Sequence, residues 1–514
     1  MKLNYIKITR VLSALTLFLF SFSALISAPK LSTSEIEFSS SDSALADGAN
    51  AAVRNLREGA SGEWIFNSGG LLQVSSKNKG DRLFYFEGFD SLTIDGKGGT
   101  LEMDRPYLAF TFHNCKNIKI KNLTLTTKEL PFAVGKVVET GDKFFDVEIY
   151  EPYSIENRDK VEAVMSYDKE RGRMCETYDK YLQFFKNSIE KLSDRKLRIK
   201  FKDGKAPQKG IDVLLRFDVY SFSAIRFSYC ENVSFENVKL GAIGGMGAQF
   251  MNVKNVDLKD FRVEPPTEEI AMSTTADATH FNQCYGEINF DNCHFKGMGD
   301  DATNIHHMYL TYIGKKGDFE YEFSFGRKEV FWPEYAPNLG DEVAFGSSEN
   351  FLLPDEKLRA KVLERRVDKD AKRIYLKLDK NLTPTSGTTL ANMSALPKVR
   401  IKNCSVKSNR ARGFVIKTHD VVIENCLFDS TSAAGILAEV DNNYWFEALP
   451  ANNVLIRNCT FKSCNFWTRK PHNYAIVADA SYGKDSPRKA KVFLDLRQEN
   501  NKFIDCQGSI FIKE

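Results

Sequence analysis

Hydrophobic residues recur along this chain in short alternating runs that share one template: an Asn or Asp, an apolar pair at alternate positions, an Asn, and a second apolar pair. HNCKNIKIKNLTL (113–125), SYCENVSFENVKL (228–240), MNVKNVDLKDFRV (251–263), HDVVIENCLFDS (419–430) and ANNVLIRNCTFKS (451–463) all follow it. Alternation with period 2 predicts half-buried strands. The interval from Val233 to Val256 is the same as that from Val399 to Val422. Strand, Asn corner and strand returning at this constant interval predict an all-β chain, a right-handed parallel β-helix in which each coil stacks on the last. The Asn side chains are expected to bond backbone groups at the corners.

Two long stretches break the period. Residues 127–222 hold strand-like runs (AVGKVVE, KFFDVEIYE, IDVLLRFDV) around a charged segment, Glu170 to Ser193, expected to be helical. Residues 309–396 hold a second set (YEFSFGR, EVFWPEY, DEVAF, RIYLKL). Both are expected to be small β-rich domains inserted in the solenoid and walling a site, since coils tolerate insertions in their loops. The expected division is then an N-terminal cap with the first coils (29–90), coils (91–126), the first insertion (127–222), coils (223–308), the second insertion (309–396) and C-terminal coils (397–514). Before these, residues 1–28 carry Lys2, Lys7 and Arg10 ahead of an apolar run from Val11 to Ser27. This predicts a secretory signal peptide and an exported chain, periplasmic or extracellular, with a retained membrane anchor as the competing reading. The absence of a Cys between that run and Cys115 argues against a lipid anchor.

Composition narrows the partners. With 71 basic and 68 acidic residues, the formal charge of +3 gives no warrant for nucleic-acid binding or a polybasic membrane contact. Ten cysteines in an exported chain suggest disulfides, yet Asn-Cys recurs at 114–115, 292–293, 403–404, 425–426 and 458–459. A residue type that returns at one place in a repeat predicts thiols stacked inside the coils, where free Cys acts as a small hydrophobe.

The densest polar chemistry lies in STTADATHFNQCYGEINFDNCHFKGMGDDATNIHHMYL, residues 273–310. Asp277 precedes Asp300 by the same interval that separates Val233 from Val256, with an alternating strand, Gly286 to Phe295, between them. One coil apart, the two are expected to stack ~4.8 Å apart with Asp301 beside them. Carboxylates that close cannot all ionise freely, so at least one is expected to hold a proton near neutrality. An Asp pair at a Gly-rich turn also reads as solvated turn residues or calcium ligands. His280 one coil earlier, and Asn304 and His306 just after, turn the reading toward a site. Farther along, SNRARGFVIKTHD brings Arg410, Arg412 and Lys417, and AGILAEVDNNYWFEA brings Glu439, Asp441, Trp445 and Glu447. Arginine forks suit hydroxyls and carboxylates, and an aromatic beside acids suits a sugar face.

TTADATHF, GDDATNIHH, NRARG and AGILAEVDNNYWFEA, in this order, resemble the α-1,3-galactosidases of glycoside hydrolase family 110, over roughly Leu92 to Phe466. The resemblance implies a β-helix with inserted β domains. It implies removal of terminal α-1,3-linked galactose with inversion, without metal or cofactor, from a galactose-terminated oligosaccharide or glycoconjugate. By position Asp300 matches the general acid, and Asp277 and Asp301 match the pair that activates water. His306, Arg410 and Arg412 match groups near the sugar, and His280, Asn304, Glu439, Trp445 and Glu447 complete the expected sugar contacts. The aspartates are also arranged similarly to those of the family 28 polygalacturonases. His307 stands where Gly is expected, and the region before Leu92 matches poorly. An inverting pair stands about 6.5–9.5 Å apart, so one close and one wider pair are expected among the three aspartates. A polygalacturonase-like hydrolase, a calcium-assisted lyase using Lys417, and a non-catalytic carbohydrate-binding helix remain rival readings, and the choice between linear and fucosylated acceptors is open.

Overall fold

The computed structural model describes residues 29–514 except 34, 59–61, 66–68, 78–81, 157, 183–186, 326–330, 348–352, 443–444, 468–473, 483–494, 507 and 513–514. The expected signal peptide lies outside the described residues. Two sheet systems wind around one hydrophobic core. The first runs through Arg82–Glu87, Leu108–His113, Ile225–Ser228, Ala248–Met251, Thr279–Asn282, Thr303–Met308, Phe414–Ile416, Ile436–Asn442 and Tyr474–Tyr482, each parallel to the next. The second stacks the template strands themselves, such as Lys116–Thr127, Glu231–Leu240 and Lys254–Val263. This is a parallel β-helix. Phe112, Phe227, Phe250 and Phe281 fall at in-register positions and stack face to face, with ring centroids 4.7, 5.3 and 4.5 Å apart. Each such fully buried ring contributes about 1.5–3 kcal/mol of transfer free energy.

The interval between coils is not as constant as the sequence suggests. Val233 does face Val256, but Val399 faces Val421 rather than Val422, and Thr279 faces Thr303 rather than Ala302. The interval thus varies from coil to coil, being 22 positions between Val399 and Val421 and 33 between Val421 and Val454, and the connections between strands absorb the difference. The corner asparagines bond one another, and some also bond backbone groups as expected, Asn255 Oδ1 accepting from the Glu287 N–H at 3.2 Å. Asn232 donates to Asn117 at 2.9 Å and Asn255 to Asn232 at 3.0 Å, while Asn237 donates to Asn122 at 3.0 Å. These residues hold φ of 51 to 60°, the left-handed region that Asn tolerates best among residues with a side chain. An amide that both donates and accepts can extend its ladder at every coil, which explains its return in the sequence.

After Thr127 the chain leaves the solenoid for a seven-stranded antiparallel sheet, Phe132 to Arg216, with its own core. After Met308 it leaves again for a closed six-stranded barrel, Leu310 to Asn392. Among the described residues of Glu170 to Ser193 the expected helix is not there. Arg173–Tyr181 is a strand paired with Ala163–Asp168, and Asn187–Ser193 is a strand paired with Lys196–Phe201. Sheet pairing overrides the helix-like charge content, as strand preference follows context. Ser43–Arg57 is an α-helix, capped by Asp42 accepting from the Ala44 N–H at 3.0 Å. Its apolar face, Leu45, Ala49, Val53 and Leu56, packs against the first coils.

All ten cysteines are free thiols, and nine are buried. Cys404, Cys426 and Cys459 each bond the carbonyl two positions earlier, at 3.1, 3.2 and 3.3 Å. Cys506 is half-buried, and the Cys464 thiol hydrogen-bonded to it pulls its pKa down to about 6. A thiol reagent should therefore find one fast site, Cys506, in the folded chain and ten after denaturation. Several fast sites in the folded chain would contradict the buried ladder.

Candidate active site

Asp277 sits in the turn before Thr279–Asn282, and Asp300 and Asp301 in the turn before Thr303–Met308. The strands are adjacent, with Thr279 facing Thr303, so Asp277 lines up with Asp301 rather than with Asp300. The Asp301 N–H accordingly donates to Asp277 Oδ1 at 3.2 Å. One oxygen from each of the three lies within 4.8 Å of the others. All are buried, Asp300 being the most exposed at 9% against 5% and 2% for Asp277 and Asp301. The expected wider pair is not formed by these nearest oxygens; the three make a compact cluster.

Arg216, fully buried in the first inserted sheet, ties the two turns together. Its Nη1 donates to the carbonyls of Thr275 and Gly299, each at 2.8 Å. A Cβ at Gly299 would stand 2.4 Å from the Thr275 oxygen and 2.9 Å from that nitrogen, so the close approach requires glycine.

Each aspartate has a different set of partners. Asp300 Oδ1 accepts from Arg410 at 3.1 Å, and its Oδ2 accepts from the hydroxyls of Tyr181 and Tyr220 at 3.1 and 3.0 Å. Burial opposes its charge, but Arg410, Arg412 and Arg216 outweigh that and hold its pKa below the ordinary value. Arg410 also donates to Asp179 at 2.7 Å. Asp301 accepts from the Arg412 guanidinium at 2.9 Å and from the Arg412 N–H at 3.0 Å. Burial, with the neighbouring Asp300 and Asp277 charges, nevertheless pushes Asp301 well up. Asp277 is raised too, chiefly by burial, against the bond from His280.

That bond begins a chain of imidazoles. His280 Nδ1 lies 2.8 Å from Asp277 Oδ2, and His280 Nε2 lies 3.0 Å from His306 Nε2. His306 Nδ1 is 3.2 Å from the His307 carbonyl, which only accepts, so His306 carries its proton on Nδ1. Burial lowers the His306 pKa to about 3, so the ring is neutral and its Nε2 accepts from His280. One proton then remains between His280 Nδ1 and Asp277. It resides on one or the other. Beyond His306, 3.6 Å from its Nε2, stands Glu447, which forms a buried ion pair with Lys417 and accepts from Asn304 at 3.3 Å. Glu439 lies 3.9 Å from Lys417. Asn304 Oδ1 is buried without a partner among the described residues.

Thus the structure joins Asp277, His280, Asp300, Asp301, Asn304, His306, Arg410, Arg412, Glu439 and Glu447 into one network. Trp445 keeps 38% of its surface exposed, and its backbone N–H bonds Asp441 at 3.1 Å. His307 is fully buried behind the site. Sequence reasoning missed Tyr181, Tyr220, Asp179 and Arg216, all from the first insertion, where no repeat marks a position. It also read Lys417 as a charge along the groove and as the base of a rival lyase, not as the partner of Glu447. Three carboxylates at this spacing suit a hard cation. Here, however, guanidinium groups occupy oxygens of Asp300 and Asp301 and supply the countercharge, so the donor set is completed by protein.

The sequence family described as "Right handed beta helix region" matches residues 376–512. The chain is 28% identical to "Alpha-1,3-galactosidase B" of Phocaeicola vulgatus over 403 residues, covering 74% of this chain and 66% of that protein. With "Alpha-1,3-galactosidase B" of Bacteroides thetaiotaomicron it shares 27% over 413 residues, 74% of this chain and 64% of the relative. With "Alpha-1,3-galactosidase A" of Bacteroides fragilis it shares 24% over 470 residues, 86% and 74% of the two chains. The chain therefore spans just under two thirds of the first two relatives. Among solved structures, the A-module of the mannuronan C-5 epimerase AlgE4 of Azotobacter vinelandii covers 92% of this chain and 94% of its own, at 8% identity and a TM-score of 0.28.

Proposed function

We propose that this chain, a member of glycoside hydrolase family 110, cleaves terminal α-1,3-linked galactose from oligosaccharides or glycoconjugates, with Asp277, Asp300 and Asp301 performing the chemistry. The observation that carries the reading is the buried aspartate cluster itself, in which partners from three elements push the carboxyls toward different protonation states. Glycoside hydrolysis needs one carboxyl that gives a proton to the leaving oxygen and another that accepts one from water. Asp300 is the proposed acid. It is the most exposed of the three, and its Oδ2, bonded only by the Tyr181 and Tyr220 hydroxyls, is the oxygen that a leaving group entering there would meet by displacing them. Asp277 and Asp301 are the proposed water-activating pair. The bonds of the free site favour a second assignment, in which Asp277 holds the proton through His280 and Asp300 acts as the ionised partner. Arg410, Arg412, Asn304, His306, Glu439 and Glu447 are proposed to take the sugar hydroxyls. The apolar leader supports an exported location.

Inversion belongs to the same proposal and has a direct test. Proton NMR during cleavage of an α-1,3-galactosyl oligosaccharide should show β-galactose first, with α appearing only by mutarotation, and the rate should survive a chelator. The test matters because the compact cluster is nearer the ~5 Å spacing of retaining pairs than the wider inverting gap. First appearance of α-galactose would give the enzyme a covalent intermediate, and activity lost to chelator and restored by calcium would favour the lyase reading.

A further inference from the structure

Beside the aspartate cluster, on the next face of the solenoid, lies a cleft of about 780 Å³ between the coils and the Asp168–Arg173 hairpin of the first insertion. Its lining is basic: Arg171, Arg173, Arg262, Lys296, Lys407 and Lys462, against Glu264 and Asp429. Most of these cations already have an acid. Arg171 and Arg173 lie 3.6 and 3.8 Å from Glu176, Arg262 lies 3.9 Å from Glu264, and Lys462 lies 3.5 Å from Asp429. Lys296 and Lys407 differ. They are exposed, occupy directly opposed positions on adjacent strands, and have no acidic partner within salt-bridge distance among the described residues. Like charges opposed across a strand pair repel, and an anion lying between them removes that cost. Hydroxyls of Ser405, Ser408 and Ser430 line the same cleft as further donors.

The cleft is continuous in sequence with the catalytic turns. Lys296 precedes Asp300 by four positions, and Lys407 precedes Arg410 by three. A stretch that short spans at most about 14 Å, so the backbone of Lys296 lies within that distance of the backbone of Asp300. We propose that the cleft is an acceptor-side subsite for an anionic glycan, a chain bearing sulfate or carboxylate groups whose terminal galactose occupies the aspartate site. This inference rests on the glycosidase reading for its geometry. A nucleic acid is a poorer fit, because the chain's overall charge is close to balanced and the basic surface here adjoins a sugar-type site.

Calorimetric titration of the full chain separates the two readings, since it needs no turnover. The probes are a sulfated galacto-oligosaccharide, its desulfated counterpart, an oligogalacturonate and a single-stranded DNA of equal charge. At low salt at least one anionic sugar should bind about tenfold or more tightly than the neutral one, an advantage that fades as salt rises. Lys296→Gln with Lys407→Gln should erase that advantage while leaving turnover of a small neutral α-galactoside unchanged. Which sugar keeps its advantage identifies sulfate or carboxylate as the ligand group. Equal binding of charged and neutral sugars, or an advantage that survives the double substitution, overturns the subsite, as does DNA binding with the same affinity and dependence. Failure to cleave any α-galactoside would sink the glycosidase reading instead, and with it the acceptor-side assignment, whatever the titrations show.

Discussion

Asp300→Asn will lower cleavage of an α-1,3-galactosyl oligosaccharide by about 10²–10⁴-fold, the usual contribution of a positioned acid or base. The informative part is how that loss depends on the leaving group. A sugar alkoxide leaves badly without a proton, whereas an activated aryl galactoside hardly needs one. The Asp300→Asn deficit should therefore shrink on the aryl substrate, while those of Asp277→Asn and Asp301→Asn stay similar on both. If Asp277→Asn shows the relief instead, the proton belongs to the Asp277–His280 pair and Asp300 is the ionised partner. A pH profile alone does not make this distinction, because carboxyls this close titrate as a group and the limbs of the curve report the cluster. Leaving-group dependence follows the proton itself. Equal deficits for all three variants on both substrates would remove the acid role from every one of them.

Lys417→Met will destabilise the fold by about 3–5 kcal/mol, the usual cost of breaking a buried ion pair from one side. The Lys417 and Glu447 side chains are 2% and 8% exposed, so the Glu447 charge left behind has little water to turn to. Its remaining neighbours are neutral His306 and the Asn304 amide. Methionine fills much the same space as the lysine stem, so the loss is electrostatic rather than a cavity. In the wild type, His306, which becomes charged in the acid range where Glu447 titrates, and Lys417, charged throughout, outweigh burial and hold Glu447 below the ordinary carboxylate range. That contribution is present above the unfolded carboxylate pKa and is lost as pH falls through the depressed value. In the variant the sign reverses: the unpaired carboxyl is pushed up, and the deficit shrinks as acid neutralises it. Lys417→Met with Glu447→Met should recover most of the stability. Denaturant midpoints for the two singles and the double close the cycle, and a single-variant cost below about 1 kcal/mol would show that the pair is solvated.

The coils were readable from sequence because each repeats the chemistry of its neighbour. The alternation of Val233, Phe235 and Val238 and the recurring Asn-Cys steps each state a position that the next coil states again. Asp277, Asp300, Arg410 and Glu447 could be gathered for the same reason, since residues about one coil apart stack. What failed was whatever a repeat does not encode. The single-position difference that sets Asp277 against Asp301 lies in corner geometry, where a shorter coil and a longer one carry the same alternation. The ladder bonds of Asn117, Asn232 and Asn255 needed side-chain directions. The strand Arg173–Tyr181 and its site residues Asp179 and Tyr181 were hidden in a charged stretch whose conformation is set by pairing with Ala163–Asp168.

Arg216 gives the first insertion a role beyond shaping a wall. The guanidinium that joins the Thr275 and Gly299 carbonyls comes from one core, and the turns it joins come from another. The attachment is reciprocal, since Ile270 and Met272, just ahead of Asp277, are buried in the core of the inserted sheet. Solenoid and insertion thus have separate cores, and the carboxylates sit where the two meet. Undocking the sheet would leave the stacked coils intact yet scatter the aspartates, so catalytic competence reports the seating of one unit on the other rather than the integrity of either.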